Sequence, residues 1–260
     1  MTLGRTLAAL AIGAIAAVVT VAAMAPAAWA AAAVSAVTGG RVELAETAGT
    51  LWAGEATVVF ASGEANQKAR ASLPQRLSWR LSPWRLLIGE LELALTHPSA
   101  LSQTLIVHAY RNGNATLGPA TLHLPASLLV GLGAPWNTVR PGGVLSVSWD
   151  TLQIGGGKAR GHLSADWEDA SSALSPVSPL GHYRLLTDGV FPGTRLELET
   201  VSGPLELAGS GTIEEGGRLR FHGVARAGAA ADPAVKTQLA GLISLLGRRD
   251  GDTAILNFGS

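Results

Sequence analysis

From Arg41 onward, the chain alternates apolar and polar side chains with a period of two. The pattern is clearest in four segments, 90–96, 162–168, 195–199 and 218–222. Such alternation is typical of β-strands that have one buried face and one solvent face. Sequences rich in Gly, Pro and Asn separate the segments at intervals of about 10–15 residues, which favours an antiparallel meander over strands joined by helical crossovers. The predicted fold class is therefore mainly β, as a curved antiparallel sheet or a sandwich.

The alternation also predicts which side chains face the core, because neighbouring residues of a strand point to opposite faces. The predicted buried set in the last two segments is Leu196, Leu198, Leu219 and Phe221, and the predicted exposed set is Arg195, Glu197, Arg218 and Arg220. Three tryptophans share phase with apolar neighbours and are also predicted to lie in the core, namely Trp79, Trp149 and Trp167. Beyond Trp149 the alternation loses phase before Leu152, which predicts a bulge or a bend near Asp150 and Thr151.

Two segments depart from the strand pattern. Residues 171–179 mix Ser, Ala and Pro, which predicts a long loop within one β unit. Near the end, Asp232 precedes Pro233, a pair typical of an N-cap and a first helical position. Apolar residues then follow at helical spacing and predict a short amphipathic helix closed by Gly247; they are Val235, Leu239, Leu242 and Leu246.

An uncharged run opens the chain. No charged residue lies between Arg5 and Arg41, and residues 7–25 are almost wholly apolar. About 20 apolar residues are enough to cross a bilayer as a helix. The run therefore predicts a single transmembrane helix within residues 1–30.

The same run also resembles a secretory signal, because Ala28, Trp29 and Ala30 form an A-x-A cleavage pattern. The run is longer than a usual signal core, however, and Trp29 lies where an interfacial anchor would lie. We therefore expect an uncleaved anchor in the bacterial inner membrane, with Arg5 on the cytoplasmic side. Residues 31–260 then form a β-rich domain in the periplasm.

The charge balance argues against a nucleic-acid-binding protein. The 260 residues contain 19 Lys and Arg against 19 Asp and Glu, so the formal net charge is zero. A nucleic-acid-binding protein would need a concentrated basic surface. The absence of cysteine from the sequence excludes disulfides, thiolate metal sites and cysteine nucleophiles.

The sequence carries no recognisable catalytic motif. Its six histidines form no paired metal-binding motif, so we expect them to be solvated at the surface. The run Gly155-Gly156-Gly157-Lys158 lacks the earlier glycine and the following Ser or Thr of a phosphate-binding loop. No G-x-S-x-G elbow occurs. We therefore expect no enzymatic activity, no cofactor and no metal.

Two features are candidates for binding. Residues 68–85 carry five basic residues and no acidic residue, which fits either an anionic lipid or protein partner or a strand edge protected by charge. Trp52 and Trp136 lie in turn-like sequence beside Gly54 and Pro135, and they are the candidate partner-binding residues. The alternative is that both indoles only plug the ends of the sheet.

Five blocks along the chain carry a more specific pattern. They are Gly49-Thr50-Leu51-Trp52-Ala53-Gly54, Leu77-Ser78-Trp79-Arg80-Leu81-Ser82-Pro83, Leu132-Gly133-Ala134-Pro135-Trp136-Asn137, Gly143-Val144-Leu145 and Leu245-Leu246-Gly247-Arg248-Arg249-Asp250-Gly251-Asp252. Together, and in this order, they resemble the type II secretion system protein N family. The resemblance implies an accessory component, anchored in the inner membrane, of the machine that exports folded proteins across the outer membrane. It implies other type II secretion components as partners, and no enzyme, cofactor or metal.

A second hypothesis comes from the rhythm of the strands. Segments such as Gly203-Pro204-Leu205-Glu206-Leu207-Ala208-Gly209 also resemble β-rich envelope proteins that bridge or transfer lipids. If the sheet curls into an open trough, its apolar face could hold acyl chains instead of forming a closed core. A hydrolase whose triad is assembled only in space is the third and weakest hypothesis.

Overall fold

The computed structural model describes residues 13, 16–17, 20–62, 70–133, 136–215 and 218–259. In these residues the fold is mainly β and its strands pair antiparallel, as predicted. The strands are β1 (Val42–Gly49), β2 (Ala53–Ala61), β3 (Arg70–Ser72), β4 (Leu77–Leu81), β5 (Glu90–Thr96), β6 (Leu105–Tyr110), β7 (Ala115–Leu117), β8 (Ala120–Pro125), β9 (Pro141–Trp149), β10 (Leu152–Gly155), β11 (Lys158–Arg160), β12 (Leu163–Ser172), β13 (Gly181–Asp188), β14 (Val190–Phe191), β15 (Thr194–Ser202), β16 (Leu205–Ile213), β17 (Leu219–Ala227), β18 (Arg248–Asp250) and β19 (Thr253–Phe258).

The strands form two hydrogen-bonded sheets. The first sheet runs in the order β1-β2-β4-β5-β6-β7-β10-β11-β14, with β3 paired to β2. The second sheet runs in the order β8-β9-β12-β13-β15-β16-β17-β19-β18. The helices that accompany them are α1 (Ala28–Thr38), α2 (Pro83–Leu87), a 3₁₀ helix (Ala126–Leu132), α3 (Trp136–Val139) and α4 (Pro233–Leu246).

Within the described residues the chain passes from one sheet into the other five times, so the two sheets form one folded sheet. The last passage is the turn from β14 to β15. The other four lie in stretches that each supply a strand to both sheets: β7 and β8, β9 and β10, β11 and β12, and β13 and β14. These stretches are neighbours in both sheets, so the domain is a nearly sequential meander with a line of bends across its middle. The predicted meander is confirmed. The predicted bend at Asp150 and Thr151 is one of these crossings, where β9 ends and β10 begins.

The bends require backbone conformations that most residues avoid. Gly161, between β11 and β12, has a φ of +147°, and a Cβ at this position would overlap the side chain of Leu152. Gly189, between β13 and β14, has a φ of +111°. Glycine accepts these conformations because it has no Cβ. A sheet that folds back on itself needs such corner residues.

The apolar faces of the two sheets point toward each other, and we call this surface the inner face. Val58 and Phe60 of the first sheet share one hydrophobic cluster with Leu122 and Leu124 of the second. Leu128 of the 3₁₀ helix is buried in the same cluster. The opposite surface of each sheet is the outer face.

The predicted C-terminal helix is α4, and it packs on the inner face of the second sheet. Leu239, Leu242 and Ile243 are buried against β16, β17 and β19, and Val235 and Leu246 are partly buried. Asp232 occupies the N-cap position, but its side chain makes no capping hydrogen bond. Gly247 follows the helix in extended backbone, with φ −175°, instead of the left-handed conformation expected of a terminal glycine.

The predicted strand faces are confirmed with one exception. Leu196 is buried, Leu198 and Phe221 are half-buried, and the predicted exposed set of Arg195, Glu197, Arg218 and Arg220 is exposed. Leu219 shares the phase of Phe221, yet 40% of its surface is exposed. Its predicted burial is wrong because it is the first residue of β17 and pairs with Ile213, the last residue of β16, at the margin of the sheet.

The predicted loop at 171–179 begins later than expected, because β12 continues through Ser172. β12 and β13 then pair across this loop within the same sheet. The loop therefore lies inside one β unit, as predicted.

α1 lies where the predicted anchor should end. It spans Ala28–Thr38, so the predicted boundary between residues 30 and 31 falls inside this helix. Ala30 packs in a cluster with Trp79 of the first sheet, and 55% of the Trp29 surface is exposed. Within the described residues, no helix combines the length and the apolar character that crossing a membrane requires. Much of the predicted span at residues 7–25 lies outside the described residues.

Candidate interaction surfaces

The central part of the inner face is apolar and only partly covered. Its side chains are half-buried in both sheets; they are Leu93, Val107, Leu145, Val147, Trp149, Leu163, Ala165 and Leu185. Elsewhere the same face is covered, by α4 on β16, β17 and β19 and by the 3₁₀ helix between β2 and β8. The inner face thus combines closed core regions with a partly open apolar surface.

The three tryptophans predicted to lie in the core are all on the inner face. Trp79 is 7% exposed, and its indole N–H donates to a backbone carbonyl at 3.1 Å. Trp149 and Trp167 are half-buried, and their indole N–H groups donate to backbone carbonyls at 2.9 and 2.8 Å. Each indole offers apolar surface while its polar atom is satisfied. Full burial is confirmed for Trp79, whereas the other two border the partly open surface.

The outer face of the second sheet carries a row of polar side chains in register. His123, Ser146, Asp166 and Arg184 lie opposite one another on β8, β9, β12 and β13. His123 Nδ1 is 2.9 Å from Ser146 Oγ, whereas Asp166 accepts a hydrogen bond from Arg184 Nε at 2.8 Å and lies 3.2 Å from His182 Nε2. In a Ser-His-Asp triad the carboxylate orients the histidine that activates the serine. Here the carboxylate instead contacts Arg184 and His182.

A hollow of about 780 Å³ opens on the same outer face. Arg220 in its lining pairs with Glu214 at 3.1 Å, and His222 Nδ1 lies 2.6 Å from Asn257 Oδ1. Two polar side chains of the hollow, Arg220 and His222, thus contact neighbouring polar side chains. Across the described part of the chain, no three His, Asp or Glu side chains are grouped closely enough to hold a metal ion.

One histidine contradicts the expected solvent-exposed position. His97 is 3% exposed, and its Nδ1 accepts hydrogen bonds from the backbone N–H groups of Ser99 at 3.3 Å and Ala100 at 2.9 Å. Its Nε2 finds no hydrogen-bond partner among the described residues. The expectation was wrong because the backbone N–H groups in the turn after β5 need an acceptor, and the His97 imidazole supplies it.

The basic segment at 68–85 is largely neutralised by nearby strands. Arg70, Arg76 and Arg85 each form an ion pair with a glutamate, at 3.4, 2.6 and 3.0 Å. Lys68 lies outside the described residues. These pairs favour the structural interpretation, in which the charges support a strand margin, over a surface for anionic partners.

Trp52 lies in the turn between β1 and β2 and contacts the N-terminal segment. Its indole N–H donates to the backbone carbonyl of Ala22 at 2.7 Å, and the N–H of Leu51 donates to the carbonyl of Ala25 at 2.8 Å. The Trp52 side chain is half-buried. It therefore fastens the turn to the segment that precedes α1 and keeps part of its surface in solvent.

Trp136 is the first residue of α3, which follows the 3₁₀ helix. Its side chain is half-buried, and its carbonyl accepts a hydrogen bond from the N–H of Arg140 at 2.8 Å. Residues 134 and 135 lie outside the described residues. The two candidate tryptophans thus belong to different elements of the fold.

A further exposed tryptophan was not predicted as a site. α2 connects β4 to β5 and presents Trp84, Leu87 and Ile88, which are 77%, 77% and 71% exposed. The sequence signal for this surface is present, because four apolar residues within 84–88 interrupt the period-two alternation between two strands. Alternation alone cannot tell whether such an interruption is buried or exposed.

Comparison with known families identifies the family of the chain. The model of the family described as "Type II secretion system (T2SS), protein N" matches residues 40–256, which include β1 to β18 and most of β19. The chain belongs to the type II secretion system protein N family. The comparisons with curated proteins and with solved structures returned no match. Membership of the protein N family implies a part in type II secretion and a place in the bacterial envelope.

Proposed function

We propose that this protein is an accessory component of the type II secretion system that acts by binding other components of the system and carries out no catalysis. The observation that supports the proposal most strongly is the family match over residues 40–256. A binding role needs only surfaces that partners can reach.

The proposal includes an anchor in the inner membrane, with the β domain in the periplasm. Residues 7–25 are apolar and Arg5 precedes them, which favours a cytoplasmic N-terminus. An anchor would keep a weakly binding domain in the membrane that also holds its partners, and so raise their effective concentration. Contacts of modest affinity would then be sufficient.

Trp52 and Trp136 are the proposed contact residues. Tryptophan is enriched at interface hot spots, where truncation to alanine costs about 2 kcal/mol or more. Both indoles are half-buried, so each keeps surface that a partner can cover. The Trp52 indole N–H already donates to Ala22, so this residue would contact a partner through its ring.

Export measurements test the proposed role. Deletion of the gene should lower the amount of a type II substrate in the medium and raise it in the periplasm, and the full chain supplied in trans should reverse both changes. A protein exported by another route is the control and should be unaffected. Unchanged export of type II substrates in the deletion strain would contradict the proposal.

A second candidate function, lipid binding, is favoured by the partly open inner face. Val147 and Leu163 are half-buried there, and an acyl chain lying across them would remove apolar surface from water at a gain of about 25 cal/mol per Å². A photoreactive residue at Val147 in the full chain should then yield lipid adducts in cells. The same residue at Ser148, whose hydroxyl contacts Thr121 on the outer face, is the matched control. The absence of adducts at Val147 would remove the lipid hypothesis and leave the secretion role untouched.

A further inference from the structure

Two hydrogen bonds connect the end of β4, just before α2, to the N-terminal segment. The N–H of Leu81, at the end of β4, donates to the carbonyl of Trp52 at 2.7 Å. The indole of Trp52 in turn donates to the carbonyl of Ala22 at 2.7 Å. α2 begins two residues after Leu81, at Pro83. Trp52, through its carbonyl and its indole, therefore links the chain two residues before α2 to Ala22 in the apolar run.

α2 and the residue that follows it carry a group of exposed apolar side chains. Trp84, Leu87 and Ile88 are each more than 70% exposed, and they are contiguous on one short connection. Single exposed apolar residues are common, but a contiguous exposed group marks an interaction site. The one charged residue of the helix, Arg85, is neutralised by Glu90 and Glu92, each at 3.0 Å.

One basic side chain beside α2, that of Arg111, is of the sign that anionic lipid headgroups attract. The side-chain stem of Arg111, in the turn after β6, lies against Gly89, directly after Ile88. Arg111 forms no ion pair with any residue of the described ranges. Basic side chains of this kind extend from apolar surface to anionic headgroups.

We propose that α2 is a second membrane contact, in which Trp84, Leu87 and Ile88 enter the headgroup region of the bilayer that holds the N-terminal run. The inference rests on the proposed anchor. The bilayer is the occupant because the apolar run joins the domain beside α2, so an anchored domain brings this surface close to the lipid. Tryptophan and other apolar residues beside a basic side chain are typical of interfacial membrane contacts. Two contacts, the anchor and α2, would fix how the folded sheet is oriented on the membrane.

Single-cysteine labelling tests this inference, because the sequence contains no cysteine. The full chain carries an environment-sensitive fluorophore at Leu87→Cys, at Val21→Cys as the anchor reference, or at Leu245→Cys on α4 as the matched control, and these side chains are 77%, 63% and 69% exposed. Each variant is reconstituted into vesicles of phosphatidylethanolamine and phosphatidylglycerol that contain a headgroup nitroxide lipid. We expect several-fold quenching at positions 87 and 21, and none at 245. Because all three side chains are exposed, thermal melts should match the unmodified chain.

The outcomes separate this inference from the anchor on which it rests. Quenching at Val21 without quenching at Leu87 would overturn the membrane role of α2, leave the anchor in place, and assign the helix to solvent or to a protein partner. No quenching at either position would remove the anchor and the inference together. Equal quenching at all three positions would show unspecific adsorption of the domain and would also overturn the inference.

Discussion

Tyr183 shows at the residue scale how the inner face accommodates a polar atom. The residue is 3% exposed, its ring centroid lies 5.9 Å from that of Trp167, and its hydroxyl donates to the carbonyl of Leu205 at 3.0 Å. Tyr183→Phe keeps the ring but removes the hydrogen bond, so the free energy of unfolding should fall by about 1–2 kcal/mol in urea titrations. Tyr110→Phe, at a position 38% exposed, is the matched control and should change it by less than about 0.5 kcal/mol.

The same hydroxyl gives stability a pH dependence of known sign. Burial raises the pKa of the Tyr183 phenol, because the phenolate would lose its hydration. In the unfolded chain a tyrosine titrates near pH ~10. The contribution is therefore complete below that pH and is lost as the pH rises toward the higher folded pKa. Unfolding free energies measured above this pH should fall more steeply for the unmodified chain than for Tyr183→Phe, and equal slopes would contradict the assignment.

Trp52 and Trp136 can be separated from core residues by comparing folding with export. If they contact partners, Trp52→Ala and Trp136→Ala should each reduce export of a type II substrate while the thermal melt falls far less than in Trp79→Ala, although Trp52→Ala also removes the hydrogen bond to Ala22. Trp79→Ala is the control for a core effect, because Trp79 is 7% exposed and its truncation should cost about 3–5 kcal/mol. A melt lowered in both test variants as much as in Trp79→Ala would indicate that both residues are part of the core. Normal export with a normal melt would exclude them as contacts.

The ring of Phe221 lies over Gly209 of β16 and Gly223 of β17, where these two strands pair. A Cβ at Gly209 or at Gly223 would collide with the ring of Phe221, so these glycines make room for it. Phe221→Ala should lower the free energy of unfolding by about 3 kcal/mol, near the low end for a core aromatic because the ring is half-buried. Arg220→Ala, at the next residue, breaks only an exposed ion pair with Glu214 and should stay within about 0.5 kcal/mol. Equal losses in the two variants would mean that the register of β17 is different.

The elements that could be predicted are those whose signal is local. Alternation identified the faces of β5, β12, β15 and β17, and helical spacing with Asp232 and Pro233 identified α4. The loss of phase before Leu152 predicted a bend, but a strand pattern does not say which strand becomes the neighbour beyond the bend. The sequence therefore predicts the bend, but only the structure shows that the chain passes from one sheet to the other there. The burial of His97 could not be predicted either, because it depends on how the turn after β5 packs against the rest of the fold.

At the scale of the whole molecule, the proposed anchor predicts a defined topology. Arg5 precedes the apolar run and the β domain follows it, so a reporter that is active only in the periplasm should be active when fused after Ser260. Protease added to spheroplasts should degrade the β domain, while a cytoplasmic marker protein stays intact. Protection of the β domain with a degraded periplasmic control would contradict the topology.

The family could be predicted from blocks of residues spread over the chain, and the match over residues 40–256 confirms it. The contact surfaces could not be predicted in the same way, because exposure depends on the three-dimensional neighbours of a residue. Trp52 bonds to Ala22, thirty residues earlier in the chain, and Trp84 is exposed although three of the next four residues are apolar. The local sequence around Trp52 does not predict its contact with Ala22, and the local sequence around Trp84 does not predict its exposure.

The central claim is that this protein works by binding other type II secretion components, and affinity purification of the full chain from gently solubilised membranes tests it most directly. Proteins recovered with the tagged chain are quantified by mass spectrometry against an unrelated inner-membrane protein that carries the same tag. We predict that components of the type II secretion system are enriched with this protein over that control. Recovery of these components at no more than the control level would contradict the claim.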